Sequence, residues 1–341
     1  MKILIVRLSA IGDVVMASPL IRALRDKYPE AHIAWLVQPE AVPLLAANPR
    51  LDEVIVWPRG EWQRLWRERR YWQLLKAVHS FRRALRARGF DLVLDIQGLM
   101  KSGLLAWMSG APERVGLGSR EGSARLMTRV VDKPRGDKRI GSEYRRMAEA
   151  LGLNTEPFAM DLALSAGDQR FADGFIAEHG LSSGYAVICP FTTRPQKHWI
   201  ETRWPELAAR LREETGLPVV MLGGPGDREA AARIAAGKAD IVDAVGQTSL
   251  SQAAALISRA RLLVGVDTGL MHMGIAFAVP TIAIFGSTCP YLDTGRDDTR
   301  ILYKALDCSP CRRRPTCDGA FTCMQEIGVD EVLGKARELL A

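Results

Sequence analysis

Two short apolar runs, residues 262–264 and 281–285, enclose a polar turn and a stretch of helical spacing. Strands that are apolar throughout are buried on both faces, and a helix between two of them returns the chain so that they lie parallel. The pattern recurs along the chain. Further strands are expected at 3–6, 33–36, 54–56, 92–95, 186–189, 219–222 and 241–242. Helices are expected among them at 13–27, 203–214, 228–236 and 251–259. Such alternation implies an α/β fold of parallel βαβ units with right-handed crossovers.

A chain of 341 residues has length for two cores. The pattern lapses between about residues 162 and 183, after which a fresh strand starts. The expected architecture is two Rossmann-like, doubly wound domains facing each other across a cleft. Residues 1–164 form the first domain, 165–183 a linker and 184–325 the second, with a cysteine-rich loop at 308–323 and a C-terminal helix at 326–341. Sites in such sheets gather at the carboxyl ends of the strands.

No apolar run approaches the roughly 18 residues that span a bilayer, and the first strand is interrupted early by charge, unlike a signal peptide. A cytoplasmic location is expected, in which six cysteines are not a disulfide framework. The net charge of +7 points to an anionic partner. Between Trp57 and Arg88 lie nine arginines and one lysine against Glu61 and Glu68, with four tryptophans interleaved. A helix over 61–88 would carry a stripe of Trp62, Leu65, Trp66, Trp72, Leu75, Val78, Phe81 and Leu85. It reads either as a surface helix packed on its domain or as a basic, aromatic face for an anionic membrane.

Four loops carry polar chemistry at strand ends. Arg7-Leu8-Ser9-Ala10-Ile11-Gly12-Asp13 follows the first strand, and Asp13 falls in the first turn of a helix. There a carboxylate is either a plain cap or a base held at the positive end of the helix. The spaced glycines of a dinucleotide fingerprint are missing. Thr192-Thr193-Arg194-Pro195-Gln196-Lys197-His198 offers hydroxyls and cations to an anion. Gly223-Gly224-Pro225-Gly226-Asp227 and Asp267-Thr268-Gly269-Leu270-Met271-His272 follow two further strands. The last opens a helix, whose free N–H groups suit a phosphate. Together they suggest a nucleoside diphosphate.

These segments, with Asp95-Ile96-Gln97-Gly98-Leu99-Met100-Lys101-Ser102 and 280–286, resemble glycosyltransferase family 9, the bacterial ADP-heptose:lipopolysaccharide heptosyltransferases, over nearly the whole chain. The 95–102 segment and the Thr-Thr/Lys-His-Trp loop look most like the heptosyltransferase I branch. The resemblance implies a GT-B fold and inverting, metal-independent transfer of heptose from ADP-heptose to Kdo-modified lipid A. It makes Asp13 the general base. Thr192, Thr193 and Lys197 would hold the diphosphate, and Asp267, Thr268, Gly269 and His272 the other side of the donor pocket. Ser9, Gln97 and Lys101, with Arg64 and Arg67 of the basic helix, would meet the acceptor. The enzyme would work as a peripheral protein on the inner face of the inner membrane. Another core position, an O-chain or a protein is the alternative acceptor. The glutamate that often reads the nucleoside after the Gly-Gly-type turn has no clear counterpart among Asp227, Arg228 and Glu229.

Cys308, Cys311, Cys317 and Cys323 fall within one short loop rich in arginine and proline. Four thiolates suit a tetrahedral structural zinc or iron, although the gaps are not paired CxxC units. Nucleic acid is not an expected partner, since nothing in the two α/β halves asks for one; such a partner would need the basic residues to form one stripe with base-reading or stacking side chains.

Overall fold

The computed structural model describes residues 1–236, 241–311 and 314–341. It contains two units, Met1–Asp137 with Gly141–Ala163, and Lys138–Ile140 with Leu164–Ala341. In the first, strands β1 (Lys2–Val6), β2 (His32–Val37), β3 (Glu53–Val56), β4 (Leu92–Asp95), β5 (Glu113–Leu117) and β6 (Arg129–Val131) form one sheet in the order β3-β2-β1-β4-β5-β6. In the second, β7 (Ala186–Cys189), β8 (Val219–Met221), β9 (Ile241–Asp243), β10 (Leu262–Val266), β11 (Thr281–Phe285) and β12 (Thr299–Tyr303) run β12-β11-β10-β7-β8-β9. Every pairing is parallel. Numbered from its own first strand, each sheet has the order 3-2-1-4-5-6. Both units are therefore doubly wound, and in each the order reverses between the first and fourth strands.

Helices α1 (Ile11–Ala17), α2 (Pro19–Lys27), α3 (Arg59–Arg67), α4 (Tyr71–Ala87), α5 (Met100–Met108) and α6 (Ser142–Ala150) cover the first sheet. Helices α7 (Ala166–Glu178), α8 (Arg203–Thr215), α9 (Arg228–Ala235), α10 (Leu250–Ser258), α11 (Gly269–Ala276), α12 (Thr322–Gln325) and α13 (Val329–Leu340) belong to the second unit. With helices on both faces, the central strands β4, β7, β10 and β11 are buried at every residue. Burial is tight enough to require glycine in places. A Cβ on Gly274 of α11 would lie 2.7 Å from Thr281 Oγ1 and 3.0 Å from Leu263 Cδ1, so that face of the helix can press on the strands only without a side chain.

Several boundaries differ from the sequence expectation, each for a local reason. Strands β5, β6 and β12 are additional: β5 opens on Glu113-Arg114, and the other two are edge strands only partly buried, so none reads as a continuous apolar run. The helix expected over 13–27 is two, because Pro19 lacks the N–H that would continue α1 and instead starts α2. The helix expected over 61–88 is also two, broken where Arg69 takes a left-handed φ of 57°. Residues 165–183 are not a linker. The Ser165 hydroxyl caps α7 by accepting from the Asp168 N–H at 3.1 Å, and Ser251 on α10 donates to the Asp168 carboxylate at 2.8 Å. With Ala172 and Phe175 buried, α7 is part of the second unit, and the chain crosses at Ala163–Leu164. Among the described residues no helix is long and apolar enough to cross a membrane.

Candidate active site

In the first unit β1 and β4 end level with each other, Val6 pairing with Asp95. The loops that leave them therefore start side by side at the reversal of strand order. Arg7, the residue after β1, is buried, and its guanidinium donates to the Ile96 carbonyl at 3.1 Å and pairs with Asp13. Burial opposes the charge, but Tyr144, Asp13 and Glu143 hold the guanidinium above its ordinary value. Asp13 is the third residue of α1 and also accepts from the Ala10 N–H at 3.2 Å. Both contacts engage Oδ2. The carboxylate thus has a fixed orientation, at a helix N-terminus that favours its charge, with its side chain about one-third exposed (35%).

Beneath this carboxylate the two loops are stitched together. Gln97 Oε1 accepts from the Leu8 N–H at 2.8 Å, and Asp95 Oδ1 accepts from the N–H groups of Gln97 and Gly98 at 3.2 and 3.1 Å. Burial pushes the Asp95 carboxyl up, against the opposing pull of Gly98, Ser102, Gln97 and Arg7. Lys101, on the first turn of α5, is half-buried. Burial and the charges of Arg59 and Arg7 push its ammonium below the usual lysine range. Asp13, Gln97 and Lys101 are thus brought around Arg7, with Ser9 half-buried in the same loop. Arg64 and Arg67 are on α3, where Arg64 meets Glu68 at 3.6 Å and Arg67 donates to the Gln63 carbonyl at 3.3 Å. The Gln97 carbonyl oxygen bonds Leu8, so this side chain also shapes the loop on which Asp13 stands.

The second unit repeats the arrangement with other residues. Cys189 of β7 pairs with Gly265 of β10, and the two following loops meet at Asp267. Its Oδ2 accepts from Lys197 Nζ at 2.6 Å and from the Thr288 hydroxyl, while the Thr192 hydroxyl donates to its backbone carbonyl at 3.3 Å. His272 Nε2 lies 3.4 Å from Asp267 Oδ1, and His272 Nδ1 lies 2.7 Å from the Tyr291 hydroxyl. Burial, then the Asp267 carboxylate, keeps Tyr291 a phenol well above its ordinary range. Burial alone would raise the Asp267 carboxyl, but His272 and Lys197 hold it well below the usual carboxylate range.

His272 is a correction. At 2% exposure it is a buried support for Asp267 and presents no open face of its own. Thr268 is the N-cap residue of α11, so the next N–H groups of that helix have no partner within it. Thr193 is exposed beside Thr192, and His198 Nε2 lies 2.9 Å from the Thr192 carbonyl, which holds that loop. Asp227 accepts from the Gly224 N–H at 2.8 Å and so closes its own turn, while Glu229 meets Arg233 at 3.3 Å. Arg7, Thr288 and Tyr291 were not among the residues singled out from sequence. Arg7 carried a signal, a cation directly after a buried strand, whereas Thr288 and Tyr291 lie in a loop without motif.

The cysteine cluster does not assemble into the tetrahedral site expected of it. Cys308 is exposed, Cys311 and Cys317 are half-buried, Cys323 is buried, and all are free thiols. Among the described residues no three His, Cys, Asp or Glu side chains gather closely enough to hold a metal ion. Burial first, and then the neighbouring thiols, push Cys323 up.

Two doubly wound units, each with a polar loop pair at its reversal point, place the chain in the GT-B fold class. The structure of ADP-heptose lipopolysaccharide heptosyltransferase II from Escherichia coli superposes with a TM-score of 0.79 at 26% identity, covering 100% of this chain and 98% of that one. Lipopolysaccharide heptosyltransferase 1 of Salmonella typhimurium is 30% identical over 86% of this chain and 91% of its own length. Lipopolysaccharide heptosyltransferase 2 of E. coli K12 is 31% identical over 100% and 99%. The family model for glycosyltransferase family 9 (heptosyltransferase) matches residues 78–320, and the chain belongs to that family. It is a transferase.

Proposed function

We propose that this chain transfers heptose from ADP-heptose to Kdo-modified lipid A of the lipopolysaccharide inner core, with inversion and without a catalytic metal. The observation that carries the reading is the Asp13 carboxylate, oriented by buried Arg7 at the reversal point of the first sheet. Asp13 takes the proton of the acceptor hydroxyl, through the oxygen that neither Arg7 nor Ala10 engages. The hydroxyl oxygen then bonds to the anomeric carbon as the bond from that carbon to the diphosphate breaks and ADP departs. Thr192, Thr193 and Lys197, with the N-terminus of α11 at Thr268 and Gly269, receive the departing charge. Asp267 positions the Lys197 ammonium, and His272 positions Asp267. Ser9, Lys101, Arg64 and Arg67 supply the acceptor side with a hydroxyl and cations for anionic groups.

A lipid-linked acceptor places the work on the inner face of the inner membrane, with the protein bound there peripherally. The 95–102 segment and the Thr-Thr/Lys-His-Trp loop support the first-heptose assignment. A second reading, transfer onto a core that already carries one heptose, is favoured by the 31% identity to heptosyltransferase 2 across the whole chain. Mass spectrometry of products from ADP-heptose, with purified Kdo-lipid A or the same lipid bearing one heptose, separates the two. Turnover of only the heptosylated lipid overturns the first reading, and turnover of neither overturns both.

A further inference from the structure

We infer that the turn joining α3 to α4 is a membrane-docking tip that seats on an anionic lipid bilayer; this rests on the reading above, in which the acceptor is lipid-linked. The inner side of the expected apolar stripe is filled. Leu65 is buried, and Trp62 stands edge-on to Trp57 and Phe81 at 6.0 and 5.5 Å. The remaining large side chains point outward instead: Trp66 is 63% exposed, Trp72 71%, Leu75 60%, and Tyr71 about half. All four sit at the end of α3 or within the first turns of α4.

The turn is built and ordered. Arg70 N–H bonds the Leu65 carbonyl at 2.9 Å and Arg69 N–H the Trp66 carbonyl at 3.1 Å, while the rings of Trp66 and Tyr71 meet across it at 5.3 Å. Its one acid, Glu68, is already engaged by Arg70 at 3.1 Å and Arg64 at 3.6 Å, which leaves exposed Arg67 and Arg69 to give the tip a positive charge. Aromatic rings of this type settle at the headgroup level of a bilayer, and arginine stems lie along its surface with their charge among anionic headgroups. A protein partner fits less well. A stable interface covers about 800 Å² a side around an uncharged centre, whereas here four side chains round one turn are ringed by like charges.

Sedimentation of the full chain with vesicles of equal parts phosphatidylcholine and phosphatidylglycerol, and with phosphatidylcholine alone, tests the inference without donor or acceptor. The wild-type chain is expected to pellet with the mixed vesicles only, and less so as salt is raised. Trp66→Ala with Trp72→Ala is expected to weaken that partition about tenfold or more, through lost apolar burial. Arg67→Gln with Arg69→Gln is expected to weaken it about fivefold per charge. Turnover of a deacylated, water-soluble acceptor by the tryptophan variant should match wild type, which separates docking from catalysis. If the wild type turns over no acceptor at all, the proposed function fails while the vesicle result still stands. Docking is overturned if wild type ignores anionic vesicles or if neither variant weakens binding. It is equally overturned if sedimentation velocity shows a dimer that the tryptophan variant abolishes.

Discussion

Asp267→Asn tests the electrostatic reading of the second unit most directly. The carboxylate is mostly buried, with its side chain 12% exposed, and Lys197, its partner at 2.6 Å, is 18% exposed. Removing one member of a buried ion pair costs about 3–5 kcal/mol, chiefly because the other charge is left uncompensated. The amide still offers Thr288 an acceptor and Lys197 can turn partly toward water, so the low end, about 3 kcal/mol at pH 7, is expected. For a unit of this size each kcal/mol moves the melting midpoint by roughly 2–4 °C, a drop of roughly 6–12 °C. The pH dependence has a definite sign. The folded carboxyl lies below its unfolded value of about 3.9, so the unfolded chain binds the proton first as pH falls. The stabilisation is fully present above about pH 5, shrinks through about pH 4, and is lost toward the depressed folded value. Differential scanning calorimetry of both proteins at several pH values, following the transition of the second unit, reads this directly. A variant that melts within about 1 °C of wild type at pH 7 refutes the reasoning, as does a difference that persists undiminished well below pH 4.

Asp13→Asn is expected to lower kcat by about 10²–10⁴-fold while leaving ADP affinity within about twofold, measured by steady-state kinetics and calorimetric titration; retained turnover removes Asp13 as the base. Arg7→Met should lower kcat with little change in KM for the sugar nucleotide, because Asp13 loses its orientation, and Arg7→Lys should restore part of the rate. Equal activity in the Met variant sinks the positioning role. For Asp95 the sign is opposite to that of Asp267: burial raises its folded value, so it destabilises increasingly as pH rises above about 4. Asp95→Asn, which keeps an acceptor for Gln97 and Gly98, should gain stability relative to wild type as pH rises from about 4 through the raised folded value, read in urea titrations. A relative loss over that range contradicts it.

The strands legible as continuous apolar runs, β1, β2, β4, β7, β8, β10 and β11, are those covered on both faces, where burial selects residue type at every position. Edge strands β3 and β9 were legible from their short Val/Ile runs although only partly buried, whereas β6, β12 and β5, whose apolar residues are mixed with arginine, glutamate or threonine, escaped. Helix breaks were partly legible: Pro19 forbids continuation by its missing N–H, whereas the left-handed turn at Arg69 falls on a residue that carries no local signal for it.

The site divides in the same way. Asp267 could be picked out along the chain, since a polar residue directly after a buried strand and before a helix is a local pattern, whereas Asp13, inside α1, and Lys197, well beyond the end of β7, were singled out by the family resemblance. Their partners could not be picked out. Arg7 reaches Asp13 because of how the β1 exit loop closes, and Thr288 and Tyr291 arrive from the loop after β11 to complete the network around Asp267 and His272. The cysteines show the converse, since four thiols close in sequence do not gather into a ligand set. Sequence alone determined the buried strands, the α/β alternation and the loops that carry charge, because burial and capping act over a few residues. Tertiary structure decided which charges meet, because hydrogen bonds and ion pairs depend on ångström-scale distances between residues far apart in the chain.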